Sequence, residues 1–258
     1  MTIRGWLASS YCARTRNAVR IVAALFSVCA LSLYARAQEP SVAERMQSLL
    51  SRDAVARGAA EKSLLTEGPA AVPGIVAVAA ETSRGRRIAE KLLRKMGAPA
   101  TKALIPLLRD PEKRSAAGAL LFQTIGPDAH ALAGSLLECL HDPAVMNDCG
   151  GALVKAMSPR ASAQATLLIH ALGDREPVVQ AYAAGALGQI GPKAAAAAPA
   201  LVAALKSGEP GVRASAATAL GKLGVKKPEV VAALRAAKKD ADADARRAAI
   251  DALKRLHV

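Results

Sequence analysis

In the segment VQAYAAGALGQIGP, residues 179–192, the apolar positions Val179, Ala183, Leu187 and Ile190 recur at i, i+4, i+8 and i+11. That spacing lines one face of an α-helix. The pattern breaks at Gly191-Pro192, where glycine can take the positive φ that ends helices and proline cannot continue one. A second helix is predicted through Leu201, Val202 and Leu205. The phrase VRASAATALGKLG, residues 212–224, repeats the first pattern with Val212, Ala216, Leu220 and Gly224 in register. Weaker copies are anchored at 56, 85, 114, 145 and 245, so with 179 and 212 seven anchors follow one another at intervals of 29 to 34 residues.

Each copy therefore predicts a helix, a turn and a second helix. Asp110-Pro111 and Asp142-Pro143 are expected to open first helices, an N-capping acid before a proline suited to the first helical position. A hairpin of about 30 residues cannot bury its apolar face alone and must stack on its neighbours. The predicted fold class is all-α: an α-solenoid, or superhelix, of about seven stacked helical hairpins. Ala194–Ala198 reads as packing material of high helix propensity, which lets neighbouring units approach closely.

Composition supports this picture. Of 258 residues 52% are hydrophobic but only 2% aromatic, so the core must be made of Ala, Leu and Val. The first 37 residues read differently. Arg4, Arg14, Arg16 and Arg20 precede the apolar run 21–35, and Ala35-Arg36-Ala37 offers an A-x-A cleavage pattern, the order of a secretory signal peptide. The run is shorter than the roughly 20 residues of a membrane-spanning helix; an uncleaved leader that anchors the chain is the alternative. Arg14 and Arg16 are not adjacent, which argues against a twin-arginine signal, and Val28 before Cys29 argues against a lipid-attachment site. Two segments are expected, a signal peptide over 1–37 and a solenoid over 38–258 starting at Gln38. The chain carries +14 in full, and +9 once five leader arginines are removed.

The phrases VRASAATALGKLG and GPKAAAAAPALVAAL, with Asp142 or Asp174 ahead of a first helix, resemble HEAT-like repeats of the phycobilisome-lyase type over about residues 41–258. The resemblance implies a polar ladder between the Arg after each anchor and an Asp in the inter-repeat turn. The matching positions are Arg57, Arg86, Arg213 and Arg246, and Asp53, Asp110, Asp142 and Asp174; Met146 and Gln180 replace the Arg, so an interruption is expected there. Deoxyhypusine hydroxylase, built on similar repeats, binds iron through His-Glu pairs, and no His-Glu dipeptide occurs in this sequence. Nothing in it identifies a tetrapyrrole pocket for lyase chemistry.

Cys139 and Cys149 flank the His141-Asp142-Pro143 turn, and in an oxidising compartment they are a candidate disulfide, the alternative being two buried thiols. Cys139, His141, Asp148 and Cys149 match no usual zinc spacing. Asp240, Asp242 and Asp244 read as helix-capping acids rather than a calcium loop. Arg84, Arg86, Arg87, Lys91, Arg94 and Lys95 form a candidate patch for an anionic ligand, and Lys102, Glu138 and Lys206 on second helices are candidate partner-binding residues. The serines have no histidine in register to act as a base.

Together these features predict a non-enzymatic, exported repeat scaffold, periplasmic or secreted, that binds a protein partner on a concave face lined by second helices. No cofactor, metal or catalytic residue is assigned, and no transmembrane span in the mature chain. A basic peripheral binder of anionic envelope surfaces (lipid or lipopolysaccharide) is the second reading, and a lyase-like enzyme the third. Nucleic acid is not an expected partner, because two aromatic residues after position 37 offer almost no stacking platform.

Overall fold

The structure, a computed structural model, describes residues 40–258, and the expected signal peptide, its cleavage site and Cys29 lie outside the described residues. The described residues form helices and no strand. A short helix α1 (Val42–Ser48) leads into seven first helices: α2 (Ala54–Glu67), α4 (Ser83–Met96), α6 (Arg114–Thr124), α8 (Met146–Ala156), α10 (Pro177–Ile190), α12 (Pro210–Leu223) and α14 (Ala243–Leu256). Second helices alternate with them: α3 (Val72–Glu81), α5 (Ala98–Leu104), α7 (Ala133–Cys139), α9 (Ala165–Ala171), α11 (Ala198–Ala204) and α13 (Pro228–Ala237). Five of the first helices, α2, α4, α10, α12 and α14, begin two residues ahead of the anchors 56, 85, 179, 212 and 245. One continuous core runs through the stack, from Met46 and Leu64 through Leu120 and Leu153 to Leu220 and Leu256.

The helix ends follow from backbone chemistry. Gly68, Gly97, Gly191 and Gly224 take φ of 62°, 74°, 69° and 72° at the ends of α2, α4, α10 and α12. At Gly191 the N–H donates to Leu187 O, closing the last turn before Pro192 prevents another. The second helix does not follow at once. Residues Gly191–Ala197 form a 3₁₀ stretch in which Gly191, Ala194 and Ala197 are buried, a spacing of three that fits three residues per turn. The Ala194–Ala198 segment is thus packing material, but in 3₁₀ rather than α geometry for most of its length. Similar 3₁₀ stretches occupy Gly68–Ala71, Pro127–Leu132 and Pro159–Gln164.

Repeats three and four depart from the expected pattern. Pro111 and Pro143 fall in turns, and the regular helices begin at Arg114 and Met146. Asp110 accepts from the Glu112 N–H at 3.0 Å and Asp142 from the Ala144 N–H at 3.1 Å. The same side-chain turn holds the other joints: Asp174 accepts from Glu176 N–H, Asp240 from Asp242 N–H, and the hydroxyls of Ser51 and Ser207 from the N–H groups of Asp53 and Glu209. Burial also moves the third anchor back by one residue. Ala117, Leu121 and Ile125 are buried, whereas Phe122, which a count from 114 puts in the place of Leu187, is 49% exposed.

With that register Arg114 becomes the residue after the anchor, and its contact agrees. Arg114 Nε donates to Leu108 O, six residues back, at 2.8 Å. Arg213 reaches Ser207 O and Gly208 O at 2.9 and 3.0 Å, Arg246 reaches Asp240 O and Ala241 O at 2.7 Å, and Arg57 reaches Ser51 O and Arg52 O at 2.9 and 2.8 Å. The arginines therefore satisfy carbonyls of the preceding turn, which the backbone cannot pair itself. Gln180 does the same through Nε2 to Asp174 O at 2.6 Å, so the ladder is not interrupted there. Asp53 is a helix cap, accepting from the Val55 N–H at 2.8 Å, and is not a rung. Side chains also link successive turns: Arg109 to Asp142 at 3.1 Å, His141 to Asp174 at 3.3 Å, and Arg213 to Asp240 at 2.7 and 2.8 Å.

The first helices touch one another most extensively from α8 onward, while the corresponding second helices touch sparingly. Small residues make the approach possible. A Cβ placed on Gly188 would lie 3.2 Å from Ala219 Cα, and one on Gly221 only 2.7 Å from Ala252 Cα. The first helices are therefore the more tightly packed layer in this half of the stack. The stretch Ala54–Glu81 is long and apolar enough in composition to cross a membrane, with a mean hydropathy of 1.4. Gly68 folds it into α2 and α3, and its Leu64, Val72, Ile75 and Val76 are fully buried in the core.

Two measurements test this account. Gly221→Ala is expected to destabilise the protein by a net of about 1–3 kcal/mol through overpacking, and G188A by less, as read by urea denaturation; equal costs would refute the graded spacing. Asp240→Asn is expected to cost about 1.5–3 kcal/mol at pH 7, because it breaks a charged, two-pronged hydrogen bond. The Arg213 guanidinium and then the Asp242 N–H hold the Asp240 carboxyl down at about 2. Its stabilising effect is therefore present above the ordinary value of about 3.9 and fades as the pH falls through 2. The gap between wild type and D240N should close over that window.

Candidate functional site

The side of the first helices turned away from the second helices carries the residues three, six, nine and ten places after each anchor. In α10 these are Tyr182, Gly185, Gly188 and Gln189; in α8, Asp148, Gly151, Val154 and Lys155. In α6, counted from 113, they include Phe122 and Gln123, and in α4, Lys91, Arg94 and Lys95. Phe122 and Tyr182, the two aromatic residues after residue 39, therefore stand on the same side of the stack, one on each side of α8.

Glycines in α8 make room for both rings. A Cβ on Gly150 would lie 2.3 Å from Cε2 and Cζ of Tyr182, so only hydrogen allows that ring to lie against the helix. A Cβ on Gly151 would come within 3.8 Å of the Phe122 ring. The Tyr182 hydroxyl is 3.3 Å from Asn147 Oδ1, to which it donates. The Lys155 ammonium sits 4.2 Å from the Phe122 ring centroid and donates to Phe122 O, which covers one ring face with a cation. The result is a shallow trough floored by Gly151 and walled by two rings from neighbouring repeats. Its means of recognition are an apolar floor, a phenol, a carboxamide and an ammonium.

The candidate anionic patch is only partly free. Arg84, Arg86, Arg87, Lys91, Arg94 and Lys95 are all exposed on α4. Arg84 donates to Leu50 O at 3.4 Å, Arg94 to Glu90 at 2.8 Å and to Gln123 O at 2.8 Å, and Lys95 pairs with Glu61. These three tie α4 to its neighbours. Arg86, Arg87 and Lys91 make no ion pair or side-chain hydrogen bond among the described residues. Arg84 and Arg86 also lie in the first turn of α4, where the helix dipole disfavours cations.

Lys102, Glu138 and Lys206 are exposed, at or just beyond the second helices of three different repeats, and no ion pair joins any two of them among the described residues. Cys139 and Cys149 are joined as a disulfide with Cα atoms 6.0 Å apart, tying α7 to α8. Among the described residues no three His, Cys, Asp or Glu side chains gather as a metal site. Asp242 caps α14 through the N–H groups of Asp244 and Ala245. Two further hollows occur near the C-terminal end. One of about 370 Å³ crosses α10, α12 and α14 between Gly185, Thr218, Lys222 and Arg247. The other, of about 790 Å³, lies between α13 and α14 beside Arg235, Lys239 and Ile250.

A family model described as HEAT repeats matches residues 165–254, the span of α9 to α14. Over this span the chain is built of HEAT-like repeats. Among solved structures, the chain is similar to a designed armadillo repeat protein in complex with the peptide (KR)4, 15% identical, TM-score 0.49, over 84% of this chain and 100% of the other. It is also similar to an engineered protein, 18% identical, TM-score 0.48, over 84% and 96%. Human deoxyhypusine hydroxylase in complex with glycerol is 23% identical, TM-score 0.37, over 84% and 96%. No curated protein matches the chain significantly.

The trough was not among the sequence candidates. The count from 114 assigns Phe122 to a core position, and Tyr182 on a first helix reads equally well as core. The pair Gly150-Gly151 between the two aromatic positions was the available signal. For the disulfide, the bond closes a loop with a sequence separation of 10, so loop-entropy arguments give about 2–3 kcal/mol. Replacing both Cys139 and Cys149 with serine is expected to lower unfolding stability by about that amount, and reductant should do the same to the wild type but nothing to the variant.

Proposed function

We propose that this protein is an exported, non-enzymatic HEAT-like repeat scaffold that binds a protein partner on its first-helix side, at the trough between Phe122 and Tyr182. The carrying observation is Phe122, 49% exposed in a chain whose core is otherwise closed with Ala, Leu and Val. An exposed Phe122 beside a half-buried Tyr182, set over glycines, suits the anchor positions of protein interfaces, where aromatic and arginine side chains dominate binding. A solenoid offers one long surface rather than a closed pocket, which fits a partner better than a small substrate. The leader at 1–37 supports export to the periplasm or beyond the cell, and the disulfide is chemically at home there.

The second reading, attachment to an anionic envelope surface, is favoured by Arg86, Arg87 and Lys91, which lack internal partners. It takes second place because the other half of the α4 patch is committed to α2, α6 and the end of α1.

Site-directed photo-crosslinking in the native envelope separates these readings. A photoreactive residue at Gln123 is expected to trap a discrete protein, at least fivefold more than one at Lys102, with the trapping lost in Phe122→Ala. Equal trapping at Lys102 and Gln123 would sink the assignment. Steeply salt-dependent co-sedimentation with anionic vesicles, unaffected by F122A, would support the envelope-surface reading instead.

A further inference from the structure

We infer that the partner presents an extended acidic segment with one apolar or aromatic anchor, the anchor seated on Gly151 between Phe122 and Tyr182 and the carboxylates on Arg87 and Lys91. The inference rests on the scaffold reading above and adds the partner's chemistry and spacing.

Three observations carry it. First, the trough is flanked on the α4 side by cations held by no internal acid, Arg87 and Lys91, and Lys155 adds a charge at its rim. The nearby acids are Glu90, already bonded to Arg94, and Asp148 on α8. Second, α4, α6 and α8 are consecutive first helices. At the usual 8–10 Å between packed helix axes, Lys91 stands about 16–20 Å from Gly151, a span of about five or six residues of extended chain. A strand-like segment crossing the stack therefore places its acids about six positions from its anchor. Third, Arg86 stands in the first turn of α4 against the helix dipole, and Arg87 follows it directly. An acidic ligand there relieves that repulsion, so its carboxylates gain from two sources at once.

The same geometry disfavours a nucleic acid. Single strands bind along rows of rings, and the described chain holds only two, each with one face already taken, Phe122 by Lys155 and Tyr182 by α8.

Fluorescence anisotropy of the full chain with labelled synthetic peptides tests the proposal. The probe carries two glutamates six positions from a leucine-phenylalanine pair in a Gly/Ser background. It is expected to bind at least tenfold more tightly than the same peptide with glutamines, or with the spacing cut to two. The double variant R87E/K91E and, separately, F122A should each weaken binding at least tenfold, while R235E at the far end changes it less than twofold. The three sites are exposed, and unchanged thermal melts confirm folded variants. Equal binding of the glutamine peptide, indifference to R87E/K91E, or displacement of the probe by a single-stranded oligonucleotide would overturn the inference. If photo-crosslinking at Gln123 still traps a protein while the acidic probe fails, the partner chemistry is wrong and the scaffold reading stands. If both fail, the scaffold reading falls with it.

Discussion

The close approach of successive first helices is the constraint on which the rest of this molecule depends. Glycine meets alanine at Gly188 on Ala219 and at Gly221 on Ala252, and at Gly221 the gap admits hydrogen and nothing larger. Dispersion between small groups is weak per pair but is repeated along every helix and through seven units. The near absence of large rings follows from this: an aromatic side chain between two such helices would force them apart and break the spacing of the whole row. The two rings the described chain does contain accordingly lie over glycines of α8, Tyr182 on Gly150 and Phe122 on Gly151.

The joints between repeats solve a second problem. A turn leaves carbonyls of the preceding helix without backbone partners, and the chain meets this with one device used repeatedly. A long side chain just after the anchor folds back to the carbonyls five and six residues earlier, while an Asp or Ser at the turn binds the N–H two residues ahead. Arginine performs the first role in most repeats, and Gln180 shows that a neutral donor suffices. Charge enters where two turns are joined, above all at Arg213 and Asp240, whose side chains are 16% and 10% exposed. There the partners are screened enough from water for the pair to shift the acid's ionisation.

Much of the architecture was legible in the sequence because the repeat is a periodic signal, and periodicity survives local irregularity. The starts of α10 and α12 follow directly from the Val179 and Val212 phrases. What sequence did not resolve was register. In repeats three and four the turn is shorter, since Asp110 and Asp142 lie four residues before Arg114 and Met146 while Asp174 lies six before Gln180. A slip of one residue in the third repeat moves Phe122 from the core to the open side, and with it the most informative surface residue. The 3₁₀ segments were also hidden, because alanine favours any compact helical geometry and only the burial of every third residue distinguishes them. Nor could helix propensity reveal which layer packs more tightly, a property of the distances between units.

The disulfide between Cys139 and Cys149 closes a joint that no arginine ladder spans, since Met146 stands where the donor belongs. Cys149 is the immediate neighbour of Gly150 and Gly151. The covalent tie between the third and fourth units thus bears directly on the helical turn that floors the trough, and the depth available to an incoming side chain is set by sulfur chemistry one peptide bond away. In the exported scaffold proposed above, formation of that bond and the shaping of the recognition surface become one event.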